Sequence, residues 1–232
     1  MKDIKFVVAR YEKDGYSDFL GKSNIEKYNP EFVWNEEANG LYSKYNVGID
    51  RLISKGLDDD DIVAFCHADV KITDKQFEQK LKYVFDKVPL LGVAGVIGAT
   101  ILQDNCGWWL SDTKYHKGAV TQWMDNGTNY EMIRQKGNFI DLMVVDGLFI
   151  AVRGSLVKKQ KFDSATFPDS YNFYDYDYCI TARKINGMLV GAFDITMEHK
   201  SMGSGIYQDD WKNNRVTFVD KWIKLGYKFP IR

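Results

Sequence analysis

The stretch IVAFCHADV, Ile62 to Val70, decides the fold. Its first five residues are apolar, the pattern of a short strand buried on both faces. It ends, however, in a histidine and an aspartate. On an extended backbone His67 and Asp69 stand two apart and point to one face. The spacing therefore predicts a hydrophobic strand that finishes by aiming two metal-ligand side chains at one spot. The acidic run LDDDD just before it is expected to be solvated and is assigned no chemistry.

Working outward, strand and helix alternate. Ile4 to Val8 reads as a buried strand, ARYEKDGYSDF as a loop, and LGKSNIEKYNP as a short helix ended by Pro30. Glu31 to Glu37 reads as a second strand. Ser43 to Ser54 has near-helical spacing with Gly56 as its stop. Thr73 to Val88 reads as a helix, with Thr73 as N-cap and Gln76 completing a capping box. LLGVAGVIGA is another strand region. This βαβ rhythm predicts an α/β fold with a mostly parallel central sheet flanked by helices, and 232 residues suit one large domain or two small ones. Ligands in such sheets bind beyond the carboxyl ends of the strands, which is where His67 and Asp69 stand.

The segment Asp104 to Gly137 lacks periodicity and is expected to be an irregular excursion carrying a hairpin, with a turn at Asn126-Gly127. FIDLMVVDGLFIAVR then reads as strand, Tyr176 to Asn186 as helix and MLVGAFDI as the last strand. The C-terminal WKNNRVTFVDKWIKLGY reads as a helix with Val216, Val219, Trp222 and Ile223 on one face and Gly226 as its stop.

The 232 residues carry 31 basic and 32 acidic side chains, so a net charge of −1 offers no field to attract nucleic acid. Cys66, Cys106 and Cys179 are odd in number and form no C-x-x-C pair, which fits a reduced, cytoplasmic setting. The N-terminal apolar run is too short for a signal segment. No stretch approaches the roughly 20 apolar residues of a membrane span, although the C-terminal helix leaves room for contact with a membrane surface, a second subunit or, most simply, the core.

Four clusters can carry chemistry: His67-Ala68-Asp69, Asp146-Gly147, Asp175 with Asp177 in FYDYDYC, and His199 in EHKSMGSG. Carboxylates with one or two imidazoles suit a divalent manganese, magnesium or zinc ion, and the hard-ligand share favours Mn2+ or Mg2+. The first three clusters also have a plain structural reading, and His199 by itself is ambiguous. His67 can bond backbone, Asp69 and Asp146 can hold turns, and Asp175 with Asp177 can offset a helix dipole. Trp108 and Trp109 can pack in the core or stack on a sugar face.

The order of these pieces resembles the GT-A glycosyltransferases, specifically the family-2-like group of small bacterial enzymes. The resemblance runs from Ile4 to Ser204. FVVARY matches the strand that opens the nucleotide pocket, and Asn46-Val47-Gly48 a helical N-x-G element. FCHADV stands at the D-x-D position, VVDGLFIAVR at the acceptor-side strand, and YDYDYCITARKING at the E-D-x-D segment. The resemblance implies a GT-A-like domain whose residues 1–103 bind nucleotide and whose residues 104–232 bind acceptor.

It further implies that Ala9, Arg10, Tyr11, Asn46, His67, Ala68 and Asp69 bind the donor. Asp69, His199 and His67 would hold the metal. Asp175 would be the general base of an inverting transfer. Asp146, Gly147 and Asp177 would border the acceptor, with Trp108 and Trp109 in a segment, Cys106 to Gly127, that shapes its site. His67 replaces the first aspartate of D-x-D, and Tyr174 stands where glutamate is usual. The donor implied is a nucleotide-diphosphate sugar, most often a UDP-sugar, and the acceptor a glycan, a lipid-linked intermediate or a protein. Two other readings compete. One is a non-catalytic nucleotide- or carbohydrate-binding module. The other is a nucleotidyltransferase, for which the N-terminal loop has Gly15 alone where a glycine-rich basic loop is needed.

Overall fold

A computed structural model describes residues 2–10, 23–124, 127, 129–133, 139–200 and 209–230. Strands β1 (Ile4–Ala9), β2 (Glu31–Val33) and β3 (Ile62–His67) run parallel, with Ala9 paired to both Val33 and His67. The apolar half of the opening stretch is buried throughout: Ile62, Val63, Ala64, Phe65 and Cys66 are closed to solvent. Each large apolar side chain so buried stabilises the fold by about 1.5–3 kcal/mol.

Helix α1 (Leu41–Ser54) covers this part of the sheet with Tyr42, Tyr45, Ile49 and Leu52. Gly48 lets it lie close, because a Cβ there would overlap the Val7 side chain. The expected second strand stops early, at Val33. The expected helix before Pro30 is, where described, only the 3₁₀ turn Ile25–Tyr28.

Beyond β3, a turn at Ala68-Asp69 leads into β4 (Val70–Ile72). Helix α2 (Phe77–Lys87) begins later than its spacing predicts. Thr73 is not its cap: the Thr73 hydroxyl bonds Thr196, and the Asp74 carboxylate accepts the Gln76 N–H. LLGVAGVIGA divides into β5 (Leu91–Gly95) and β6 (Ile97–Ala99), which belong to different sheets. The excursion that follows does carry a hairpin, β7 (His116–Trp123) with β8 (Asn129–Ile133). Gly127 takes φ 80° in its turn, while Asn126 lies outside the described residues.

FIDLMVVDGLFIAVR is three strands: β9 (Ile140–Asp141), β10 (Val144–Val145) and β11 (Phe149–Arg153). After the short helix α3 (Gly154–Lys159) come α4 (Tyr174–Lys184), β12 (Leu189–Ala192), β13 (Met197–Lys200) and α5 (Asp209–Lys224). The large sheet has the order β2-β1-β3-β11-β5-β12-β9, and the smaller one runs β10-β6-β7-β13-β4 with β8 beside β7.

The large sheet is mixed. β11 is inserted antiparallel between β3 and β5, and β9 antiparallel beside β12. Helix periodicity and apolar runs carry no sign of strand direction. β11 enters the large sheet through a short turn from β10, which belongs to the smaller one.

Helix α5 packs through Trp211, Phe218 and Trp222, whereas Val216 and Ile223 are 53% and 56% exposed. The aromatic rings, with more area to bury, set its inner face. No described helix is long and apolar enough to cross a membrane.

Candidate functional site

His67 ends β3, and the turn that follows, rather than an extended strand, brings Asp69 back beside it. Asp69 Oδ1 lies 3.8 Å from His67 Nδ1. The backbone of the turn is fastened by Lys200 N–H donating to the Asp69 carbonyl at 2.9 Å. His199 does not follow the last strand. It sits within β13, paired with Val70 of β4 on one side and Gln122 of β7 on the other. That register places His199 Nε2 3.4 Å from Asp69 Oδ1. One ligand atom from each of His67, Asp69 and His199 falls within 4.8 Å of the others.

The outward nitrogen of each histidine is engaged. His67 Nε2 meets the Tyr174 hydroxyl at 2.5 Å, and His199 Nδ1 meets Gln122 Oε1 at 3.1 Å. Asp69 Oδ1 and His199 Nε2 are buried without a well-formed hydrogen bond. Buried polar atoms are ordinarily satisfied. These two converge on the point that a cation would occupy, so the residues fit a metal.

The charges agree. Burial opposes ionisation of Asp69, but the His199 imidazole and then the His67 ring outweigh it and hold its pKa below the usual range. Burial also works against a proton on His199, yet contact with Asp69 raises its pKa. His67 goes the other way: burial lowers its pKa, only partly offset by Asp69.

Asp146 and Gly147 reach the same rim because β11 starts where β3 ends: Phe149 pairs with Cys66, and His67 N–H donates to the Leu148 carbonyl at 3.1 Å. The half-buried Asp146 carboxylate accepts the Leu148 N–H at 3.0 Å and the Trp108 indole N–H at 2.8 Å. Trp108 is buried over His116, and Trp109, half-exposed, meets its edge.

Asp175, in the first turn of α4, is only 8% exposed. It accepts Gly147 N–H at 2.8 Å and Tyr176 N–H at 2.9 Å. Burial, helped by the charge of Asp146, raises its pKa well above the carboxylate range despite those two donors. Gly147 has to be glycine here, since a Cβ would overlap the Tyr174 hydroxyl.

At the nucleotide end, Ala9 closes β1 and Ala68 is buried in the turn. The Arg10 guanidinium lies 4.2 Å from the Phe32 ring centre and 5.1 Å from that of Trp34. Tyr11 lies outside the described residues. Lys44 is fully buried. Its ammonium donates to the Arg10 carbonyl at 2.8 Å and to Asn35, and burial lowers its pKa to about 8.

Two residues of the expected set are turned elsewhere. The Asn46 amide bonds the backbone of Phe162 in both directions, and also the Ser164 hydroxyl. Asp177 is buried against α5, accepting Lys221 Nζ at 2.6 Å and Trp222 Nε1 at 3.0 Å. In the acidic run before β3, Asp61 is likewise buried, accepting the N–H groups of Asp3 and Asp58, rather than solvated.

A family model described as "Glycosyltransferase like family" matches residues 24–222. No curated protein sequence matches the chain. Among solved structures, A197 from STIV is similar at a TM-score of 0.51 and 13% identity, covering 86% of this chain and 85% of that one. GalNAc-T7, solved with UDP, GalNAc and Mn2+, is similar at 0.57 and 11% identity, covering 94% of this chain and 48% of its own. The chain thus spans about half the length of GalNAc-T7. At these identities the likeness is one of fold, and that fold is GT-A-like.

Proposed function

The chain belongs to this glycosyltransferase-like family, and from that premise we propose that it transfers a sugar from a nucleotide-diphosphate donor to an acceptor hydroxyl with the help of a divalent cation. The observation that carries the reading is the meeting of His67, Asp69 and His199 at the strand rim, with two of their buried atoms lacking a well-formed hydrogen bond.

Two imidazole nitrogens and one carboxylate oxygen favour Mn2+ over Mg2+, which prefers all-oxygen ligands. A cation held there would neutralise charge on a departing nucleoside diphosphate. Ala9 and Arg10, at the end of β1, would face the nucleoside. Uridine diphosphate is the first nucleotide to test because GalNAc-T7, of similar fold, was solved with it. Asp146, Gly147 and the Trp108-Trp109 segment would border the acceptor, which is a glycan, a lipid-linked sugar or a protein. In this reading the chain is one domain, nucleotide-binding over 1–103 and acceptor-binding over 104–232, working in the cytoplasm.

For the base, burial raises the proton affinity of Asp175, the direction that general-base work calls for, and a single base accords with inversion. A specific observation favours a second assignment. Asp146 is half-buried and borders the same rim, whereas both Asp175 oxygens accept backbone N–H groups.

The test is isothermal titration with uridine diphosphate, with and without Mn2+, on the wild type and Asp69→Ala, followed by donor hydrolysis. Metal-dependent binding that the variant loses, together with turnover, is the expected result. Binding without turnover for any donor would make the chain a binding module. No binding of uridine, guanosine or thymidine diphosphate would remove the donor reading.

A further inference from the structure

We propose that Tyr174 and Gln122 are the positioning residues of the metal site. They fix the two imidazoles so that His67 presents Nδ1 and His199 presents Nε2 to the cation. The inference rests on the metal reading above and adds to it two residues that are not ligands.

The geometry is reciprocal. Each histidine carries one nitrogen aimed at Asp69 and one held by an oxygen: Tyr174 Oη at 2.5 Å for His67 Nε2, and Gln122 Oε1 at 3.1 Å for His199 Nδ1. A neutral imidazole has one N–H and one lone pair. With the N–H groups donated outward, both lone pairs point inward. Outer oxygens of this kind fix the tautomer and ring orientation of metal-binding histidines.

Both holders are themselves held. Gln122 is buried on the inner face of β7, directly across the register from His199. Tyr174 opens α4 immediately after Phe173, whose φ of 64° is unusual for a bulky residue. Phe173 stays there because it is buried between Phe218, stacked at 5.3 Å, and Trp211, also at 5.3 Å. Helix α5 thereby braces the residue that sets where Tyr174 begins. Gly147 leaves room for the hydroxyl to reach His67.

Two measurements test this on the full chain. Mn2+ binding, read from the electron paramagnetic resonance signal of the free ion, should weaken about 10–100-fold in Tyr174→Phe and in Gln122→Leu, the usual cost of losing an outer-shell partner. Gln122→Glu keeps the acceptor oxygen and should bind at least as tightly as the wild type. With 15N-histidine and Zn2+, nuclear magnetic resonance should find His67 metallated at Nδ1 and His199 at Nε2. Metallation of His67 through Nε2, or wild-type affinity in both Tyr174→Phe and Gln122→Leu, would overturn the proposal and leave the metal reading intact. A wild type that binds neither ion would overturn both. A purely structural role would lower the melting temperature of the variants without moving their Mn2+ affinity, and that too would count against it.

Discussion

Asp69 Oδ1 lies 3.4 Å from His199 Nε2, although one residue sits in the turn after β3 and the other in β13 near the end of the chain. The pairing of β13 with β4, and the Lys200 N–H on the Asp69 carbonyl, bring them together. A site closed by long-range pairing stands or falls with the sheet, and variants at its edges are expected to separate chemistry from folding.

The two candidate bases can be told apart. If Asp175 takes the acceptor proton, Asp175→Asn lowers turnover about 100-fold or more with donor affinity kept, and Asp146→Asn affects chiefly the KM for acceptor. The reverse pattern in steady-state kinetics would transfer the role to Asp146.

Asp175 also makes a pH prediction. Its folded pKa is raised, first by burial and then by Asp146. The folded chain therefore keeps this proton above the pH, about 3.9, at which the unfolded chain releases it. Its contribution to stability is fully present below that value and fades as pH rises through the raised one. A 13C carboxyl pH series assigned to Asp175 should show a midpoint above the ordinary aspartate range that falls in Asp146→Asn. An unmoved midpoint would exclude Asp146 as a cause.

Asp177 is expected to matter for folding alone. Asp177→Ala strips Lys221 and Trp222 of a buried acceptor, although Lys221 keeps Asp163 at 2.8 Å. The loss should be about 1–3 kcal/mol in urea unfolding. Acceptor KM, measured on the folded fraction, should not change. A raised KM would restore Asp177 to the acceptor site.

The N-x-G element is expected to behave the same way. Gly48→Ala pushes α1 off Val7, an overpacking worth about 1–3 kcal/mol. Asn46→Ala removes the bonds to Phe162 and Ser164. Both should lower the denaturation midpoint and leave nucleotide affinity as it is. Affinity lost at unchanged stability would instead return Asn46 to the donor.

Much of this was legible in the sequence. The grouping of His67, Asp69 and His199 is what the resemblance implies, while the strand ending in His67 and most of the helices follow from apolar runs and helical spacing. Strand direction did not, because β11 is apolar in either sense. Nor did the orientation of Asn46 and Asp177, polar residues whose partners come from segments distant in the chain. Gln122 went unnoticed, though it left a sign. It shares the buried parity of β7 with His116, Gly118 and Val120, where a polar side chain requires a partner.

The reversed strand β11 has a consequence for how the rim can change. Parallel strands such as β3 contribute to it only by the chain leaving them, whereas β11 contributes by the chain arriving. Beside β13, which brings His199, the rim therefore draws on one stretch that departs, after β3, and one that approaches, before β11. The approaching stretch, β10, is itself paired with β6, so a change in its length would shift that pairing while the ladder between β1 and β3 keeps its register.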